Sequence, residues 1–265
     1  MTDLAPDHVF EVDGAVAHPT LLARGPWSPH AMHGGAPAAL LARVVEHHDP
    51  GPAAFVARLT VDLLRPVPVT PLDMVVRTTR PGKKVQWIEA ALLADGVEVV
   101  HASALRVRTA DDLGLPLPPA PGPELPAPDA SAGFAIQPRT GAEVGFWTAV
   151  EVRQARGAWT EPGPAAVWFR LRVPIVAGEE PSPLQRVAAA ADFGNGVGAA
   201  LPRGEFLFIN PDLSIHLHRA AVGEWVGLDA GTRAEPTGVG LARSTLHDEH
   251  GPIGSAEQAL LVDHL

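Results

Sequence analysis

Cysteine is absent from this 265-residue chain, which excludes disulfides, thiolate nucleophiles and cysteine-type zinc sites together. No run of residues is long and apolar enough to form a membrane-spanning helix. The opening stretch, MTDLAPDHVFEVDG, carries acidic residues where a secretory signal needs a basic region followed by an apolar one. The cytoplasm is therefore the expected compartment, and the lack of cysteine fits it. Lysine is almost missing, Lys83 and Lys84 being the only two. Acidic residues outnumber basic ones 30 to 20, for a net charge of −10, which argues against a partner with a phosphate backbone, so no nucleic-acid binding is expected. No Gly-x-Ser-x-Gly occurs, so the chain has no nucleophile elbow.

What is present is apolar and repeated. Hydrophobic residues make up 46% of the chain, enough for one large or two small buried cores. LTVDLLR, from Leu59 to Arg65, lies over LSIHLHR, from Leu213 to Arg219, at a constant offset of 154 residues. Gly96 and Ala104-Leu105 lie over Gly251 and Ala259-Leu260 at 155. Two matches in one register indicate a duplicated unit.

Taken in order, Val9 to Ala17 reads as a strand. After His33-Gly34-Gly35-Ala36-Pro37 comes a largely buried helix in which Leu40, Leu41, Val44 and Val45 recur at helical spacing, ended by Asp49-Pro50-Gly51-Pro52. Four strands are expected at Ala54 to Leu64, Leu72 to Arg80, Val85 to Ala94 and Val97 to Arg108, with a hairpin signal at Asp95-Gly96. From Asp111 to Thr140 periodicity disappears and prolines accumulate, as in an extended connector. The pattern then restarts with strands at Val144 to Arg156 and Ala165 to Val173 and a helix at Ser182 to Ala191. The last strands expected are Phe206 to His218, Trp225 to Thr232, Val239 to His247 and Ile253 to Leu265. The expected units are residues 1–110, a proline-rich linker at 111–141, and residues 142–265.

A few residues break local rules. Asp192 puts a carboxylate on the apolar stripe of the second helix and at its C-terminal end, where the helix dipole disfavours an anion. Such a conflict marks either a functional site or an exposed, fraying helix end. Gln258 shares a strand face with Ala256, Leu260 and Val262, so it is either a site amide or a core amide bonded to backbone. Gly34 and Gly35 place N–H groups at a helix N-terminus, suited to an oxyanion and equally to an ordinary helix start. His216 and His218 lie two apart on one strand face, but no third ligand at matching spacing supports a metal. Gly194-Asn195-Gly196-Val197-Gly198 follows a helix instead of a strand, unlike a dinucleotide-binding loop.

Four stretches carry a family resemblance: His33-Gly34-Gly35, Ala191-Asp192-Phe193, Asn210-Pro211-Asp212 with Leu217-His218-Arg219, and Ser255-Ala256-Glu257-Gln258. From about His33 onward the chain resembles the TesB-type acyl-CoA thioesterases. The resemblance implies an α+β double hotdog, two tandem units that each wrap an antiparallel sheet around a central helix. It implies a water-mediated thioester hydrolase of lipid metabolism with a fatty acyl-CoA substrate, no cofactor and no metal, assembled as a homo-oligomer, a dimer of double hotdogs. Asp192 would act as general base, Asn210 and Gln258 would hold the water, and backbone N–H groups at Gly34 and Gly35 would polarise the carbonyl. Asn210 stands where the family has Thr or Ser. A hotdog enoyl-CoA hydratase is a second reading, although Asp212 is followed by Leu217 where its histidine would fall; a non-catalytic acyl-CoA-binding or lipid-binding protein is a third. Because Gln258 falls over Ser103 and Asn210 over Val56, one active site per chain is expected.

Overall fold

The computed structural model describes residues 6–49, 54–138, 141–202 and 204–265. The first half forms β1 (Phe10–Asp13), β2 (Val16–Pro19), helix α1 (Gly35–His47), β3 (Ala54–Leu63), β4 (Leu72–Arg80), β5 (Val85–Ala94) and β6 (Val97–Arg108). The second forms β7 (Ala132–Phe134), β8 (Val150–Arg156), β9 (Ala165–Leu171), α2 (Pro183–Ala191), the short α3 (Gly194–Val197), β10 (Phe206–Ile209), β11 (Asp212–Leu217), β12 (Val226–Ala234), β13 (Val239–Asp248) and β14 (Gly251–His264). Hydrogen-bonded neighbours run β1-β2-β4-β5-β6-β3-β11-β14-β13-β12-β9-β8-β7, with β10 on β14, as one antiparallel sheet around the helices. This is the double hotdog.

The sequence repeat reappears as a structural dyad. β3 pairs antiparallel with β11 so that Leu59, Thr60 and Val61 face Ile215, Ser214 and Leu213. The pairing crosses over at Thr60 and Ser214, repeat copies 154 residues apart whose hydroxyls lie within 3.3 Å of each other. A strand meeting its own copy antiparallel is self-complementary, as in an isologous twofold interface. The two half-sheets thereby become one.

Helix α1 is GAPAALLARVVEH, and its small residues let α2, equally alanine-rich, approach closely. A Cβ at Gly35 would come 2.6 Å from the carbonyl oxygen of Ala189. Leu40 and Leu41 are fully buried, each contributing ~1.5–3 kcal/mol by leaving water. The helices run antiparallel, so the N-terminus of α1 lies beside the C-terminus of α2.

Three expected strands are interrupted. Val9 to Ala17 is part of a hairpin, because Gly14 adopts φ +58° and reverses the chain between β1 and β2. Pro211 divides Phe206 to His218 into β10 and β11, since proline has no N–H for the ladder. Phe146–Thr148 is a 3-10 turn ahead of β8. The helix stop at Pro50 to Pro52 lies outside the described residues, as do the last two residues of the connector expected to end at Thr140.

The proline-rich segment crosses the outer face of the second half. Leu125 packs there with Trp168 and Trp225, and the Trp168 indole N–H donates to the carbonyl of Pro126 at 2.8 Å. Nearby, His247 is 1% exposed, and neither ring nitrogen has a hydrogen-bond partner among the described residues. Burial holds its pKa below the ordinary histidine value, despite Glu124, Asp229 and Asp248, while Arg156 adds to the lowering. The folded pKa is thus depressed, so stability is complete above the unfolded value of ~6.5 and falls as pH drops below it. Urea midpoints measured from pH 8 to 5.5 should decline for the wild type and decline less for His247→Leu. Equal slopes would show that His247 does not set this dependence.

Candidate active site

Asp192 ends α2 while keeping helical dihedrals, φ −67° and ψ −15°, and its side chain is 6% exposed. It is not a fraying, solvated end. The antiparallel helix pair resolves the electrostatic conflict seen in the sequence: the carboxylate lies at the C-terminus of its own helix but at the N-terminus of α1, where N–H groups favour an anion. The approach requires glycine, since a Cβ at Gly34 would sit 2.7 Å from Asp192 Oδ2.

Donors surround this carboxylate. His33 Nδ1 is 3.0 Å from Oδ2, with its ring tilted against Phe193 at 4.2 Å and stacked on Phe146 at 5.2 Å between centroids. Asn210 Nδ2 donates to Oδ1 at 2.8 Å. Gln258 Nε2 donates to the Asp192 carbonyl at 3.3 Å and lies 3.4 Å from Oδ1. The Gly35 N–H lies 3.0 Å from His33 Nδ1 and also within reach of the carboxylate. One nitrogen cannot donate to Asp192 and accept from Gly35 together. A proton on Nδ1 satisfies the anion, and the Gly35 N–H then serves the carboxylate too. Burial alone would raise the Asp192 pKa; the charge of protonated His33 and hydrogen bonds from His33, Asn210 and Gly35 outweigh it and hold the group below the ordinary aspartate range.

The amides are oriented from behind by Asn195, on α3. Its backbone N–H donates to Gln258 Oε1 at 2.9 Å and its side-chain Nδ2 to Asn210 Oδ1 at 3.2 Å. Both amide oxygens therefore face away from Asp192 and both NH2 groups face it. Asn210 reaches the carboxylate because Pro211 ends β10 immediately after it.

Asp192, Asn210, Gln258, Gly34 and Gly35 thus converge. Gln258 is buried, with Asn195 as its backbone partner and Asp192 as a second one. The Gly35 N–H is already engaged by the His33 and Asp192 pair. His216 and His218 are exposed on the outer face, and among the described residues no three histidine or acidic side chains form a group that could hold a metal ion. The sequence reading missed two members. His33 stands in the resemblance-bearing His33-Gly34-Gly35 stretch without a role of its own, and Asn195 lies in a glycine-rich loop that is unlike a nucleotide site. Their signal was polar side chains beside glycines at a helix end.

The symmetry-related position is filled differently. At the other end of the helix pair, Ser182 Oγ donates to Glu46 at 2.5 Å, and buried Arg106 covers the carbonyls of Val45, His48 and Asp49. Val56 is buried, and Ser103 Oγ accepts from Arg58 at 3.2 Å.

Beside His33 and Asn195 opens a cavity of about 190 Å³. Trp27, Trp147, Trp159, Phe193, Phe206 and Phe208 line it. A carboxylate, oriented amides and an apolar cavity suit water attack on an ester-like carbonyl attached to an apolar group.

Comparisons with known proteins bear on the family and the fold. Residues 23–107 match the acyl-CoA thioesterase N-terminal domain, and residues 118–262 match the acyl-CoA thioesterase C-terminal domain. Among solved structures, a conserved protein of unknown function with a hotdog fold from Alicyclobacillus acidocaldarius superposes with a TM-score of 0.74 at 16% identity, covering 96% of this chain and 95% of that one. An acyl-CoA thioesterase II from Mycobacterium marinum superposes with a TM-score of 0.67 at 17% identity, covering 97% and 96%. None of the curated proteins matches the chain. Among the described residues, no helix is long and apolar enough to cross a membrane.

Proposed function

Because the chain belongs to the acyl-CoA thioesterase family, we propose that it hydrolyses the thioester of an acyl-CoA to the free acid and CoA, using Asp192, Asn210 and Gln258. A water accepts hydrogen bonds from the Asn210 and Gln258 NH2 groups and gives its proton to the Asp192 carboxylate as its oxygen attacks the thioester carbon. The carbonyl π electrons move onto oxygen, facing the backbone N–H groups at the start of α1, with Gly34 the better-placed donor because the Gly35 N–H is committed to the His33 and Asp192 pair. Collapse of this tetrahedral species breaks the C–S bond, and the proton on Asp192 passes to the departing thiolate. An amide at position 210 donates as a hydroxyl would, and Asn195 fixes its orientation.

The observation that carries this reading is a buried carboxylate held ionised among oriented donors, whose partner His33 lines an apolar cavity. We take the unit containing residues 142–265 to hold the chemistry, with 1–110 contributing the start of α1 and 111–141 linking them, one site per chain. The fuller reading is a cytoplasmic enzyme of lipid metabolism working as a dimer of double hotdogs on fatty acyl-CoA.

Free CoA release from a panel of acyl-CoAs, followed with a thiol reagent, tests the reaction; the protein has no cysteine to raise the background. Thiol should appear in proportion to enzyme. CoA binding without thiol release from any substrate would leave a binding protein, and hydration of an enoyl-CoA without thiol release would make it a hydratase.

A further inference from the structure

This inference rests on the thioesterase reading and concerns the acyl group. The chain contains 14 aromatic residues, six Trp and eight Phe, and six of them line the cavity that opens beside His33 and Asn195. Aromatic residues are only 5% of the chain, so the gathering of six of them around this space is a property of the site. Two features bound what it can hold. An apolar cavity of ~150 Å³ accommodates one benzene, so 190 Å³ accommodates one ring or a short chain. The second bound is depth. The Phe193 ring lies 4.2 Å from His33 and 6.1 Å from Trp159 between centroids, which puts the Trp159 ring within about 10 Å of the His33 ring. An extended chain covers ~3.3–3.6 Å per three bonds, so about eight bonds reach that wall.

Trp159 is a wall that does not yield easily. It is 4% exposed and packed against Phe134, Phe169 and Phe193 at 5.4, 5.7 and 6.1 Å. Trp27, 56% exposed, stands at the open side. Ring edges and faces from several directions favour an aromatic guest, which can make offset and edge contacts at once.

We propose that the acyl group is compact: an aromatic ring on a short tether, or a chain of at most about eight carbons, with Trp159 as the residue that sets the limit. Longer chains would have to displace Trp159 or remain in solvent.

The test is kcat/KM for phenylacetyl-, hexanoyl-, octanoyl-, dodecanoyl- and palmitoyl-CoA with the intact wild-type protein and with Trp159→Leu. In the wild type, phenylacetyl- and hexanoyl-CoA should exceed palmitoyl-CoA by about 10-fold or more, since a single methylene in a fitted pocket is worth ~10- to 200-fold. Trp159→Leu should raise the dodecanoyl to hexanoyl ratio by about 10-fold. Palmitoyl-CoA cleaved as fast as phenylacetyl-CoA by the wild type would overturn the size limit while leaving the thioesterase reading intact. A wild-type cut-off unchanged in a folded Trp159→Leu would remove Trp159 as its cause. The wild-type profile needs no variant, so a misfolded Trp159→Leu leaves the size limit testable. Absence of thiol from every substrate would instead be the failure of the thioesterase reading.

Discussion

Asp192→Asn should lower kcat by about 10²- to 10⁴-fold, the range in which general-base assistance falls, with KM little changed. The substitution keeps the shape of the side chain and removes the carboxylate proposed to take the proton from water. The fold should survive it. An asparagine can turn its oxygen towards the Asn210 and Gln258 NH2 groups and its own NH2 towards a neutral His33 whose Nδ1 accepts, so each partner keeps a bond and no buried charge remains. Steady-state kinetics and circular dichroism on the same preparation check both parts. Wild-type kcat in a well-folded Asp192→Asn would remove this carboxylate from the mechanism. A loss in KM alone would make it a binding residue.

The features legible in the sequence were those carried by periodicity and repetition. α1, α2 and strands β4 to β6 follow from apolar spacing and from turns such as Asp95-Gly96, and the repeat offset of 154 recurs as the separation of the Thr60 and Ser214 pair at the dyad. Asp192 and Gln258 stood out because each is polar on an apolar face, a local conflict that only tertiary context resolves. The context itself was not legible. Nothing near Asp192 in the chain announces that the N-terminus of α1, some 160 residues earlier, supplies its counter-charge, since that follows from the antiparallel helix pair. Strand breaks were misread where a single residue overrides the pattern: Gly14 by reversing the chain, Pro211 by withdrawing a donor. The second of these misreadings mattered, because the break at Pro211 turns Asn210 towards the site. Asn195 went unnoticed because its work is done on two other side chains.

Removing His33 should have the second large effect, and its signature lies in pH. In the wild type, burial pushes the Asp192 pKa up, but the charge of His33 and the hydrogen bonds bring it below the ordinary value. A depressed carboxylate contributes stability above the unfolded pKa of ~3.9 and loses it as pH falls through the lower folded value. Both kcat/KM and stability should therefore hold down to acidic pH as far as this group is concerned. In His33→Ala the charge and its hydrogen bond are gone while Asp192 stays buried, so desolvation dominates and the folded pKa rises above the unfolded one. The sign then reverses: the contribution is complete below ~3.9 and is lost as pH rises through the new folded value. Leaving one partner of a buried pair alone costs ~3–5 kcal/mol, so near neutral pH the variant should be destabilised by about that amount and recover as the solution is acidified. The acid limb of kcat/KM should move to higher pH. His33→Gln, which can donate a hydrogen bond without the charge, should fall between the two. Because His33 also lines the aromatic cavity, a change in KM alone would report lost packing. An acid limb and a stability profile both unmoved in His33→Ala would show that Asp192 is held ionised by its amide and backbone donors without His33.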